Sequence, residues 1–343
     1  MKSIFLSLIL ISALNTATYS QSSDSSLVYY NQGIAENEAR RFREAEKNFK
    51  KALELDANHL ESAIELAKAL LKQNRYADAW KAFEHAEKLA PEHPEVVSNL
   101  ATLSFNMRRF DDAIAYAQKM QHLKLEGQAN YMLGKSYIAQ ENYGKGLQYL
   151  QLAAGEDEKN ADIYYTMAKA YADMSNYRKS AELFEKAIAL DDTKPYWIYE
   201  ASLIFYAIPD YKKSLEYMEL AGEKGLVKNN NYLENLGNAY LNANQYDKAI
   251  ATLKEVLERK PMDQELLYQV AQANYKAGNY KDAIAYWDQV LANDTTNARA
   301  LYMIGLSYQK SGDKQKGQHL CDAAIKLDPS LSNLRQKQEG MGF

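Results

Sequence analysis

A single cysteine among 343 residues rules out an internal disulfide, so this chain draws its stability from packing. Histidine is scarce as well. His59, His85, His93, His122 and His319 are scattered, and no two lie four residues apart around a glutamate, which excludes a zinc-hydrolase helix. Charge of one sign is missing: 41 Lys and Arg are mixed with 45 Asp and Glu throughout, for a net charge of −4. That balance excludes a nucleic-acid footprint and a polybasic membrane patch. The glycines build no phosphate loop, because Gly134-Lys135 and Gly144-Lys145-Gly146 follow no strand pattern. No carboxylate is forced into an apolar run that would shift it toward general-acid work. The pattern therefore predicts no enzyme, no catalytic residue, no metal site and no cofactor.

Long apolar runs are limited to one, from Ile4 to Leu14 behind Lys2, followed by the small polar stretch Thr16 to Ser20. Lys2, the apolar run and a small-residue cleavage region predict a secretory signal over 1–20, with Gln21 as the first mature residue. The run falls short of the ~20 apolar residues that a membrane span needs. Cleavage before Gln21 resembles signals of the Bacteroidetes type. A lipoprotein would need a cysteine just after the cut, and the only cysteine is Cys321. The expectation is an exported chain, periplasmic or secreted, with no transmembrane helix. Loss of Lys2 takes the net charge to −5.

What the chain does have is repetition. A small residue returns every 33 to 35 positions, at Gly33, Ala67, Ala101, Gly134, Ala168, Ser202, Gly237, Ala271 and Gly305. A second small series follows twelve residues behind, at Ala45, Ala79, Ala113, Gly146, Ser180, Ser214, Ala249, Ala283 and Gly317. Between them lies an aromatic at Phe42, Tyr76, Phe110, Tyr143, Tyr177, Tyr211, Tyr246 and Tyr280, replaced once by Lys314. A period of this length marks a stacked helical array. In 264–297 the apolar residues fall three and four apart on either side of Ala277-Gly278-Asn279-Tyr280, so each period is a helix, a break and a second helix. The small residues are expected where two helix backbones approach, and the aromatic is expected to fill the wedge at the turn.

These residues resemble the tetratricopeptide repeat, a 34-residue helix–turn–helix. Leu233, Leu236, Gly237, Tyr240, Ala249, Leu253 and Pro261 match its signature, as do Ala79, Phe83, Ala86 and Pro91. The resemblance implies an all-α fold, a right-handed superhelical solenoid of about nine repeats, at 26–59, 60–93, 94–126, 127–160, 161–194, 195–229, 230–263, 264–297 and 298–331. A short lead, 21–25, precedes them, and a capping segment and tail, 332–343, follow. The third repeat is one residue short and the sixth one long, with Gly222 and Gly225 loosening its exit. Curvature is expected to change at these two joints. Cys321 takes the place of Phe49, Phe83, Phe184 and Trp287 in other repeats and is expected to be buried and inert.

In this family, positions 2, 5, 9 and 12 of the first helices face inward. Carried onto this chain, they nominate Tyr131, Lys135, Tyr165, Lys169, Tyr196, Tyr199, Leu203, Tyr206, Asn238 and Tyr268, with Asn231, Asn235 and Asn242 lining the same repeat as Asn238, as a groove for a protein or peptide partner. Rings would cover side chains, amides would bond the partner's backbone, and lysines would meet carboxylates. Two readings of the tyrosine ladder stay open: a ligand surface, or residues simply common at these positions. The chaperone-tail clamp of some relatives is not supplied by any three consecutive repeats. Besides a scaffold for another envelope protein, two other roles are open, a self-associating structural component and a sensory module acting through a partner. Asp294-Thr295-Thr296 resembles a short O-glycosylation site but reads first as a polar turn.

Overall fold

The hairpin turns explain why the chain folds into helices of nearly equal length. At Arg40, Asn74, Arg108, Glu141, Ser175 and Asn244 the backbone is left-handed, with φ between 57° and 61°. The next amide reaches back five residues, as in Arg75 N to Leu70 O at 3.0 Å, Asn142 N to Tyr137 O at 2.8 Å and Gln245 N to Tyr240 O at 2.9 Å. This is the Schellman closure, which satisfies carbonyls that a helix end leaves open. Gly278, at φ 85°, makes the same turn. The residue that closes the first helix also opens the second: the Asn142, Asn176, Asp210 and Asp313 side chains each accept from the amide three residues on.

The computed structural model describes residues 25–125 and 128–333. The expected signal over 1–20 and the tail beyond 333 lie outside the described residues. The chain forms two compact units that divide after Ala170. In the first, α1 (25–38) precedes α2 (Phe42–Leu55), α3 (Leu60–Lys72) pairs with α4 (Tyr76–Leu89), α5 (Pro94–Asn106) with α6 (Phe110–His122), and α7 (Gln128–Ala139) with α8 (Tyr143–Glu156). The division falls within α9 (Ala161–Asp173). In the second, α10 (Tyr177–Leu190) leads into the hairpins α11 (Pro195–Ala207) with α12 (Tyr211–Glu223), α13 (Asn230–Asn242) with α14 (Tyr246–Arg259), α15 (Gln264–Ala277) with α16 (Tyr280–Asn293), and α17 (Ala298–Lys310) with α18 (Lys314–Leu327). No strand occurs among the described residues, and none of their helices is long and apolar enough to cross a membrane.

Both small series are buried at every position. A Cβ added to Gly33 would lie 2.5 Å from Phe49, one on Gly134 2.6 Å from Leu150, and one on Gly237 2.6 Å from Leu253. Each meets the side chain sixteen residues on, so the large residue of the second helix occupies the space that the small one leaves. Cys321 fills the same place against Gly305 and is buried. The aromatic series behaves differently from the expectation. These residues are the first of each second helix, and none is buried. Phe110, Tyr211 and Tyr280 lean on Phe105, Tyr206 and Tyr275, five residues earlier, with centroids 5.6 Å apart in each case. They cover the turn from outside, because the wedge between the helices is already closed by the small residues.

Exits from the hairpins take two forms. At Asp56, Asp157, Asp191 and Asp294 φ lies between −137° and −145° and ψ between 85° and 99°, and their Oδ1 atoms accept from the amide two residues on. Asp294-Thr295-Thr296 is one case of this recurring turn, with Thr296 Oγ1 also donating to Asp294 at 2.7 Å. The third and sixth hairpins instead leave through a second left-handed residue, Lys124 at φ 55° and Gly225 at φ 97°. Leu125 N and Leu226 N then close onto Met120 O and Ala221 O, each at 3.0 Å.

Candidate functional site

The first helices carry the nominated residues, and each unit holds its own share. In the first unit, Tyr131 and Lys135 lie one turn apart on α7. The Lys135 ammonium sits 5.1 Å from the Tyr131 ring centroid and 4.4 Å from that of Phe105 on α5. A cation between two ring faces is held by their quadrupoles. Burial pushes the Lys135 ammonium below its ordinary value, and Asp162 opposes this only in part. Lys135 makes no ion pair among the described residues. Tyr131 Oη lies 3.4 Å from Thr166 Oγ1, and burial raises its pKa. Tyr165 and Lys169 follow on α9, both half-buried and both engaged with other groups.

In the second unit, α11 presents Tyr196, Leu203 and Tyr206, which are 56%, 37% and 43% exposed. Tyr199 lies between them, half-buried, and its hydroxyl accepts from Asn235 Nδ2 at 2.6 Å. Further along, Asn242 Nδ2 donates to Tyr206 Oη at 3.3 Å and to Asn238 O at 2.9 Å. The Asn238 side chain makes no hydrogen bond among the described residues. Rings on α11 and amides on α13 thus form one surface. Tyr268, on α15, is placed differently. Its ring stands edge-on to Trp287 at 6.1 Å, with the Arg299 guanidinium 5.5 Å above it, so it supports that hairpin as much as it faces outward. Burial raises its pKa, and Arg299 works against the rise.

The nominated ladder is therefore distributed, with Tyr131 and Tyr165 in the first unit and Tyr199 in the second. Two residues that shape these surfaces were missed. Phe105 and Arg299 stand at positions 12 and 2 of their repeats, so the same inward register extended to those positions would have found them. Asn242, read from the sequence with Asn231, Asn235 and Asn238, sits one residue past that register, and its bond to Tyr206 ties it to the α11 face. No group of His, Cys, Asp and Glu among the described residues could hold a metal ion.

Models of the tetratricopeptide repeat match residues 98–161 and 235–298, and again 161–194 and 298–331. Residues 38–120 are similar to the family described as anaphase-promoting complex, cyclosome, subunit 3. A search of curated proteins returned no match. Among solved structures, the C-terminal part of a TPR repeat-containing protein from Cytophaga hutchinsonii is 20% identical, with a TM-score of 0.53 over 70% of this chain and 99% of that one. YrrB, a TPR protein with an unusual peptide-binding site, is 22% identical over 55% of this chain and 97% of its own, with a TM-score of 0.45. MamA is 20% identical over 49% of this chain and 97% of its own, with a TM-score of 0.44. With its helical hairpins, its buried small residues and repeat models over more than half of its length, this chain belongs to the tetratricopeptide-repeat family.

Proposed function

We propose that this protein is a non-catalytic scaffold that holds an extended segment of another envelope protein against the first-helix faces of its hairpins. The open face of α11 carries this reading. Tyr196, Leu203 and Tyr206 are held in place by a packed helix yet stay exposed, and the amides of Asn235 and Asn242 bond Tyr199 and Tyr206 on the same helix. Such rings lose little freedom on binding, because a tyrosine has two side-chain torsions, and amides both donate to and accept from a partner's backbone. A clustered apolar surface with a polar rim is what a binding face presents.

The first unit adds a charge preference. An ammonium at Lys135 that has lost part of its water and has no ion pair gains by meeting a carboxylate. The favoured segment is thus acidic where it crosses α7 and apolar where it crosses α11. Work in the periplasm or outside the cell is part of this proposal, and what supports it is the resemblance of 1–20 to a secretion signal with a Bacteroidetes-type cleavage region.

A photo-crosslinking residue at Leu203 tests the reading. In envelope extract it should trap a discrete species, which the double change Tyr196→Ala, Tyr206→Ala removes without loss of helicity. The same crosslinker at Lys88, exposed on α4, serves as the control. Equal trapping from both positions would rule the α11 face out as the binding surface.

A further inference from the structure

A recess of ≈ 310 Å³ opens between α2, α3 and α4, away from the faces described above. Its origin can be read from the other hairpins. The seventh residue of the second helix is a tyrosine in four of them, Tyr116, Tyr149, Tyr217 and Tyr286. Tyr149 stacks on Tyr137 at 5.6 Å, and Tyr217 stacks on Phe205 at 5.1 Å, in both cases on a residue twelve positions earlier. On the other side the ring reaches the preceding second helix: Tyr116 Oη donates to Glu87, 29 residues back, at 2.9 Å, and Tyr217 Oη lies 3.5 Å from Glu185, 32 residues back. In the α3–α4 hairpin the seventh residue is Ala82. The same three offsets from Ala82 lead to Leu70, Leu53 and Lys50, and all three line the recess. The recess is therefore the seat of a ring that this hairpin lacks.

Its chemistry is that of an intact seat with one sign reversed. Ala63, Leu66, Leu70 and Ala82 supply a buried apolar floor. Where Glu185 faces a tyrosine hydroxyl in the intact seat, Lys50 stands here. Lys50 and Arg75 share Glu46, at 2.7 and 2.8 Å, and Arg75 also bonds Asp78 at 2.6 Å. His85 is bonded to the Ala57 carbonyl at 2.8 Å. Lys81, also on the rim, makes no ion pair among the described residues. Three cations against two carboxylates leave the rim with an excess positive charge. We propose that this recess receives an aromatic side chain from an acidic segment of a partner protein, the ring filling the vacant seat and the flanking carboxylates meeting Lys50 and Lys81.

The site supplies its own control, because Ala82→Tyr would fill the seat from within. The full chain should bind a dye-labelled peptide, acetyl-Asp-Glu-Phe-Glu-Asp-amide, by fluorescence anisotropy. Ala82→Tyr should weaken this by about tenfold or more, as expected when the pocket of an aromatic anchor is closed. Replacing the peptide's phenylalanine by alanine should have the same effect, and amidating its carboxylates should weaken binding most at low salt. Lys81→Glu, an exposed change that leaves the floor intact, should also weaken it. Wild-type affinity in Ala82→Tyr, or equal binding of the neutral peptide, would overturn the proposal. A melting temperature in Ala82→Tyr at or above that of the parent is expected of a ring seat. A marked drop would refute the vacancy, and Lys81→Glu then still decides whether the rim binds the acidic peptide.

Discussion

Gly237 faces Leu253 across the α13–α14 hairpin, and one added carbon would sit 2.6 Å from the leucine side chain. Gly237→Leu should therefore cost roughly 1–3 kcal/mol by overpacking and lower the melting temperature followed by circular dichroism. An unchanged curve would mean that the two helices do not meet at this residue. Such contacts were legible in the sequence because smallness belongs to the residue itself and returned at a fixed interval. The seat at Ala82 was not. An alanine in a helix reads as ordinary packing, and the hole it leaves is defined by Leu53, Leu66 and Leu70 around it rather than by the alanine. Lys135 was nominated on its position, but its two rings come from different helices, and only the folded chain shows that Phe105 shares it with Tyr131.

Between elements, charged groups tie one second helix to the next. Glu87 on α4 accepts from Tyr116 at 2.9 Å and from Lys119 at 2.7 Å on α6. Glu185 on α10 accepts from Lys213 at 2.6 Å and faces Tyr217 at 3.5 Å, both on α12. Burial first, and then the charge of Glu185, push the Tyr217 phenol up to about 12. A pKa raised on folding gives stability that is present below the unfolded value of ~10 and is lost as the pH climbs through the folded one. The melting temperature should thus fall between about pH 10 and 12, and Tyr217→Phe should flatten part of that fall. An identical profile in the variant would show that this phenol does not couple the helices to pH. The helices and their turns were legible from spacing, and so were the two irregular repeats. The form of their exits was not, since Lys124 gives no hint in sequence that it adopts the left-handed turn that Gly225 makes easy.

At the scale of the molecule, a repeat array has to end in helices whose outer faces tolerate water. The seventh residue of the first helix in the 34-residue register is apolar and buried at Leu66, Leu100, Leu133, Met167, Ala201, Leu236, Val270 and Ile304. In α1 it is Gln32, which is exposed. The fifth residue of the second helix is Trp80, Ile114, Leu147, Ala181, Leu215, Ile250 and Ile284 from α4 to α16, and in α18 it is Gln318. Polar residues at these two places oppose stacking of one copy on another. The double change Gln32→Leu, Gln318→Leu should therefore make the chain self-associate as concentration rises, measured by light scattering. A mass independent of concentration would show that these glutamines do not oppose stacking. The hairpin that ends in α18 also encloses the molecule's sole thiol, Cys321, behind Gly305. A thiol reagent can reach it only while that hairpin is open, so the chain carries its own clock for fraying at one end, readable in the unaltered protein by the pace of labelling.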